Sequence, residues 1–220
     1  AIERLLYTGS RGMGALEFVP AITSDRPTAD AVELNDLVAV AQRILDHQQK
    51  AYVDINSNDE DTLNALFQVG VSAGGARPKA VVAVNAKRTQ VLSGQVDCPQ
   101  GFEQYLIKFD GIEERRTNQQ AFGDPKGYGR MEYAYYTMAI DAGITMSPCE
   151  LLETGDLTHF MTQRYDRFNN QKLHYQSYCA IDNADFRMAG AASYEGLLSV
   201  MRQLSLGRDE QIELFRRMVF

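Results

Sequence analysis

The chain has 220 residues, 45% of them hydrophobic and 23% charged, with a formal net charge of −7. That length carries a sizeable core in one large domain or two small ones, and the proportions are ordinary for a soluble globular protein. The acidic balance argues against a broad nucleic-acid-binding surface, and no apolar run reaches the length that spans a bilayer.

Residues Ala1-Ile2-Glu3-Arg4 lack the charged-then-apolar layout of a secretory signal. Cys98, Cys149 and Cys179 form no CxxC pair, so neither a zinc site nor a disulfide framework is indicated. A reducing cytoplasm is the simplest expectation, with each cysteine a small apolar residue of the core.

Residues 2–8 and 15–19 flank Gly9-Ser10-Arg11-Gly12-Met13-Gly14. This reads as strand, glycine turn, strand; no helix follows closely enough for a dinucleotide fingerprint. Leu34, Leu37, Val38, Ala41 and Leu45 recur at helical spacing within residues 29–48. Residues 49–57 read as a polar loop. Asn58 or Asp59 caps a short helix through about residue 68, carrying Leu63, Leu66 and Phe67.

Next comes Gly70-Val71-Ser72-Ala73-Gly74-Gly75-Ala76-Arg77-Pro78-Lys79. Glycines allow unusual dihedrals and the close approach of an anion, so backbone amides here can point into one concavity. Arg77 and Lys79 add positive charge beside it. A Walker loop runs strand, loop, helix and ends in Gly-Lys-Ser/Thr. Here a helix precedes the loop, strands follow it, and Ala80 follows Lys79, so that loop is rejected. A glycine loop feeding a β-meander is the layout of a kinase ATP-binding lobe; a plain surface turn is the other reading.

The run Ala80 to Val84 is a strand, Asn85 to Arg88 turns the chain, and Thr89 to Leu92 is a second strand. Phe102 to Phe109 is a third. Strand alternation places Phe102, Gln104, Leu106 and Lys108 on one face and Tyr105, Ile107 and Phe109 on the other. Lys108 can grip nucleotide phosphates, or bury its stem while its amine reaches water. Residues 110–127 are polar and glycine-bearing, and read as a mobile loop. Residues 129–142 form a helix ended by Gly143. Glu132 falls in its first turn, where a carboxylate suits the dipole. Its neighbours Tyr133, Tyr135, Tyr136 and Ala139 leave little polar face, and unpaired burial is costly. Lys108 is the natural partner; the alternative is a water-exposed capping glutamate.

Two more strands follow, Cys149 to Glu153 and Thr158 to Thr162. They lead into Gln163-Arg164-Tyr165-Asp166-Arg167. That segment reads either as a link offering backbone groups to adenine or as a structural ion-pair network. Phe168 to Lys172 is turn-like and Leu173 to Ser177 a strand. His159 and His174 have no ligand-spaced companions, and His174 reads as a strand residue. Residues 193–205 are helical, with Tyr194, Leu197, Leu198, Met201 and Leu204 on one core-facing stripe. Arg208 to Phe220 begins another helix, with Ile212, Phe215 and Met218. Its apolar pattern runs up to Phe220 without a breaker, and the first strand begins at residue 2, so a piece of a longer protein is expected.

Taken in order, the Gly70–Ala80 loop, Tyr-Leu-Ile-Lys108, Glu132-Tyr-Ala-Tyr-Tyr and Gln-Arg-Tyr-Asp-Arg167 resemble the HipA family of toxin serine/threonine kinases. The opening Gly-Ser-Arg-Gly-Met-Gly-Ala-Leu resembles the segment before that family's kinase core. The resemblance implies an α+β, protein-kinase-like fold, with a mostly antiparallel N-lobe over residues 1–163 and a hinge and the start of a helical C-lobe over 164–220. It implies transfer of the ATP γ-phosphoryl group to a serine or threonine of a protein such as an aminoacyl-tRNA synthetase, and a HipB-like DNA-binding antitoxin as partner. Gly74, Gly75, Ala76, Arg77, Pro78 and Lys79 match the nucleotide loop, Lys108 the ATP lysine, Glu132 its carboxylate, and Gln163, Arg164 and Tyr165 the hinge. Ser72 matches the family's autophosphorylated serine, whose modification switches the kinase off by charge repulsion. Two departures stand out. Gln163 replaces the usual hinge glutamate. The Asp-x-His-x-x-Asn stretch that supplies the base and a magnesium ligand does not occur in this sequence. Magnesium ligands are therefore expected beyond Phe220, and the chain alone is expected to be inactive. A non-catalytic binding module on a kinase scaffold and a small-molecule kinase are the alternatives.

Overall fold

The computed structural model describes residues 5–6, 8–22, 79–88, 90–95, 97–110, 127–185 and 187–220. The helices expected at 29–48 and about 58–68, the loop at 49–57, the glycine loop before Lys79 and most of the polar segment at 110–127 lie outside them.

Five strands form one antiparallel sheet in the order β2-β1-β3-β5-β4. They are β1 (Lys79–Asn85), β2 (Val91–Ser93), β3 (Phe102–Lys108), β4 (Cys149–Thr154) and β5 (Leu157–Gln163). β1 sits inside the sheet because Ala80 to Val84 have no polar face, and all five are at most 1% exposed. Its register runs from Lys79 opposite Lys108 to Asn85 opposite Phe102. β3 alternates as expected: Tyr105 and Ile107 are buried while Leu106 and Lys108 are half-buried. Ile107 and Met161, both wholly buried, each contribute on the order of 1.5–3 kcal/mol through removal from water. The turn after β1 closes on Arg88, which takes a left-handed φ of 57°.

The helix α1 (Tyr128–Asp141) follows β3 in the described chain and ends at Gly143, whose φ of 76° closes the helix. Glu132 is its fifth residue, so it lies just past the first turn, which holds no acidic residue. The dipole therefore does little for Glu132, contrary to expectation.

Two segments depart from the strand reading. Leu5, Leu6 and Thr8 are helical, with the Gly9 amide donating to the Leu5 carbonyl, and residues 15–20 are irregular. Distant side chains hold the glycine turn between them. Arg167 donates to the Gly12 and Gly14 carbonyls, Lys172 to the Ser10 carbonyl, and the Gly14 amide donates to Asp166. Leu173 to Ser177, with His174, make no strand pairing. The turn expected at Phe168 to Lys172 is the tip of a small hairpin, β6 (Arg167–Phe168) against β7 (Gln171–Lys172). Its two-residue loop, Asn169 and Asn170, has both φ positive, at 48° and 65°, the conformation that matches strand twist.

The chain divides into two compact units. The sheet, the first residues of α1 and the hairpin belong to one. The other holds residues 134–146 and 174–220. It contains the short helix α2 (Tyr178–Ile181), which the sequence pattern did not announce, α3 (Tyr194–Gln203) and α4 (Arg208–Val219). Ser193 caps α3 by accepting from the Gly196 amide. Val200 and Met201 are buried, while Tyr194 and Leu204 are half-exposed, so the expected stripe is core only at its centre. Glu213 of α4 accepts from the Thr145 amide at 2.8 Å, and Arg217 donates to the Thr145 carbonyl.

Candidate functional site

β3 delivers Lys108 and α1 delivers Glu132 to the same place. The Lys108 Nζ lies 2.5 Å from Glu132 Oε2, with both side chains only about a third or less exposed. A charge-assisted contact between half-buried groups is stronger than its surface equivalent. Antiparallel register sets Lys79 directly across from Lys108, and directly opposed residues share a sheet face. Burial, followed by the charge of Lys108, lowers the Lys79 amine below its ordinary value, with Glu132 opposing. Phe160, opposite Lys108 on β5, presents its ring 5.6 Å from Nζ. Two ammonium groups and one carboxylate thus gather on one face, beside the small buried residues Val81 and Ala83. Two ammonium groups so placed have the charge to attract an anion.

The first turn of α1 is fastened to the sheet at three points. The Gly127 amide donates to Asp110 Oδ2 at 2.8 Å, Arg130 donates to the Thr158 hydroxyl at 3.2 Å, and Gly129 rests on the Thr158 carbonyl. A Cβ at Gly129 would lie 2.0 Å from that oxygen, so only glycine permits the approach. Behind Asp110 stands His159 of β5, wholly buried, whose Nδ1 accepts from the Asp110 amide at 2.9 Å. Burial lowers the imidazole's pKa, with Asp110 opposing. The Phe109 ring meets it edge-on at 5.5 Å. None of these three supports was legible beforehand. Asp110 was read as the first residue of a loop, and only its position two after Lys108 ties it to the site.

The expected hinge residues separate by role. Gln163 ends β5; its amide donates to the Pro148 carbonyl. With Gln104, Cys98, Phe102 and Asn170 it lines a cavity of about 570 Å³. Arg164 is buried and its guanidinium is committed: two nitrogens bind Asp166 at 2.8 and 2.7 Å and a third the Gly94 carbonyl at 2.8 Å. Arg167 adds a further contact to Asp166 at 3.0 Å. Burial raises the Asp166 carboxyl, but Arg164, the Gly14 amide and Arg167 outweigh it and the group ends below its ordinary value. Of the two readings of this segment, the Arg164, Asp166 and Arg167 side chains follow the ion-pair one. Tyr165 is 60% exposed. Gly74, Gly75, Ala76, Arg77, Pro78 and Ser72 lie outside the described residues.

A second cluster escaped the sequence reading. Arg88 binds Glu150 through two nitrogens at 3.0 and 2.6 Å and lies 5.0 Å from the centre of the Tyr105 ring. The Tyr105 hydroxyl donates to Glu103 at 2.6 Å. Burial, then the Glu103 contact, raises the phenol's pKa. Among the described residues no three His, Cys, Asp or Glu side chains gather as a metal site, and no helix is long and apolar enough to cross a membrane. All three cysteines are free thiols.

Residues 71–220 match the family of the HipA-like C-terminal domain. No curated protein matches the chain.

Proposed function

We propose, from the premise that the chain belongs to the HipA-like C-terminal domain family, that it carries the nucleotide-gripping part of an ATP-dependent serine/threonine protein kinase. The single observation supporting this most directly is the Lys108–Glu132 ion pair joining the end of β3 to α1. In this reading Lys108 binds phosphate oxygens of ATP and Glu132 holds the ammonium in place between turnovers. Lys79 and the backbone of Gly74 to Pro78 complete the cradle. The backbone of Gln163 to Tyr165 meets adenine, the Arg164 side chain being engaged elsewhere. Residues 1–163 then act as the N-lobe of a kinase-like fold, and residues 164–220 as its hinge and the start of the helical lobe. The acceptor is a serine or threonine hydroxyl of a protein, such as a translation enzyme, in the cytoplasm, and a DNA-binding antitoxin is the controlling partner.

Magnesium, when bound, neutralises charge on the phosphates. The described residues offer no three-ligand cluster for it, and no step here is assigned to it. The sequence lacks the Asp-x-His-x-x-Asn stretch that would supply the base, so this chain is expected to bind nucleotide without turning it over.

The test is calorimetric titration of the 220-residue protein with ATP. Lys108→Met should weaken binding at least about tenfold, since it removes a charge-assisted contact of about 1.5–3 kcal/mol. Ser72→Glu should weaken it too, by placing a carboxylate beside the phosphates. Equal affinity in the wild type and Lys108→Met would reject the reading.

A further inference from the structure

We infer that His159 is a positioning residue for the Lys108–Glu132 pair, acting through Asp110 and the first turn of α1. The pair is one rung of a closed ring. Lys108 stands two residues before Asp110 in the chain, and Glu132 five residues after Gly127. Between them, the Gly127 amide donates to Asp110 Oδ2 at 2.8 Å. The end of β3 and the start of α1 are therefore joined twice, once by Asp110 and Gly127 and once by Lys108 and Glu132.

Where Gly127 sits depends on where the Asp110 carboxylate points, and that depends on the Asp110 backbone. β3 ends at Lys108, so Asp110 lies past the ladder. Its amide is instead taken by His159 Nδ1 at 2.9 Å. That acceptor lies on β5, the strand that also carries Thr158, against which Gly129 and Arg130 are set. Adjacent residues of one strand thus hold both sides of the ring. Accepting at Nδ1 also places the neutral ring's proton on Nε2. His159 is wholly buried and edge-packed on Phe109, so its ring has little freedom.

The inference rests on the reading that the pair grips a nucleotide, and two measurements keep the ideas apart. One is amide hydrogen exchange of the ligand-free 220-residue protein at residues 127–133. The other is ATP affinity by calorimetry. Both are made on wild type, His159→Leu and His159→Asn. Asparagine puts an acceptor oxygen close to the Nδ1 position; leucine fills space without one. His159→Leu should speed exchange at the Gly127 to Glu132 amides about tenfold, the scale of one lost buried hydrogen bond, and leave β1 and β3 amides unchanged. ATP affinity should fall in parallel, and His159→Asn should restore both. Unchanged α1 exchange in His159→Leu would overturn the inference. So would His159→Asn behaving like His159→Leu, or exchange rising equally across the whole sheet. Should the wild type fail to bind ATP, the nucleotide reading falls, and the exchange comparison alone decides the positioning role.

Discussion

Replacing Gly129 by alanine sets two known effects against each other. In an open helix the change stabilises by up to about 1 kcal/mol, because glycine loses more backbone freedom on folding. Here the new methyl would begin 2.0 Å from the Thr158 carbonyl oxygen, when side-chain contacts essentially never fall under 3.0 Å. The obstacle is backbone in a strand paired with β3 and β4, so the helix has to move. Overpacking of this kind costs about 1–3 kcal/mol. A contact this far inside 3.0 Å calls for the upper end of that range, so the steric cost wins and Gly129→Ala should lower the unfolding free energy by about 2 kcal/mol, about 3 of overpacking less about 1 of propensity. Glu132 lies three residues on, on the same side of the helix, so the displacement also draws it from Lys108. The assay is urea unfolding, read as a shift in midpoint at constant slope, with ATP titration alongside. A variant as stable as the wild type, or more so, would refute the close approach of α1 to β5.

Asp166→Asn should be far more damaging than its single charge suggests. It leaves the buried Arg164 and Arg167 guanidiniums facing an amide, and breaking a buried pair costs about 3–5 kcal/mol; urea unfolding showing less than about 1 kcal/mol, the surface-pair value, would contradict the buried network. The His159 imidazole, whose pKa burial lowers, makes stability fall in acid. The unfolded chain takes up its proton near pH 6.5 while the folded chain still resists. Unfolding free energy should therefore decline as pH drops below about 6.5, by at most about 1.4 kcal/mol per pH unit, until the folded ring protonates too. His159→Asn should flatten that slope between pH 7 and 5, and an unchanged slope would assign the acid sensitivity elsewhere.

Local pattern carried much of what was legible. The apolar run Ala80 to Val84, the alternation of β3 and the helical spacing closed by Gly143 each announce an element within one short window. Lys108 and Glu132 could be paired in advance because a carboxylate with aromatic neighbours needs a partner and only one lysine ended an apolar strand nearby. The N-terminal strand reading failed for the opposite reason. Apolar composition at residues 2–8 and 15–19 says nothing about whether a neighbouring ladder exists, and here Asp166, Arg167 and Lys172, some 150 residues away, bind the glycine turn between them instead. Leu173 to Ser177 likewise had strand composition but pairs with no strand among the described residues. The hairpin at Asn169 and Asn170 read only as a turn, because two-residue strands are too short to show a period.

The sequence by itself determined where the main strands and the long helix lie and the order of the glycine loop, lysine, glutamate and Gln-Arg-Tyr-Asp-Arg segments, since each rests on chemistry shared between near neighbours. Only the tertiary structure decided that Lys79 faces Lys108, that Asp166 accepts from the Gly14 amide, and that the Asp110 amide donates to His159. Those relations join residues from different strands, and hydrogen-bond geometry between distant segments leaves no periodic mark on the chain.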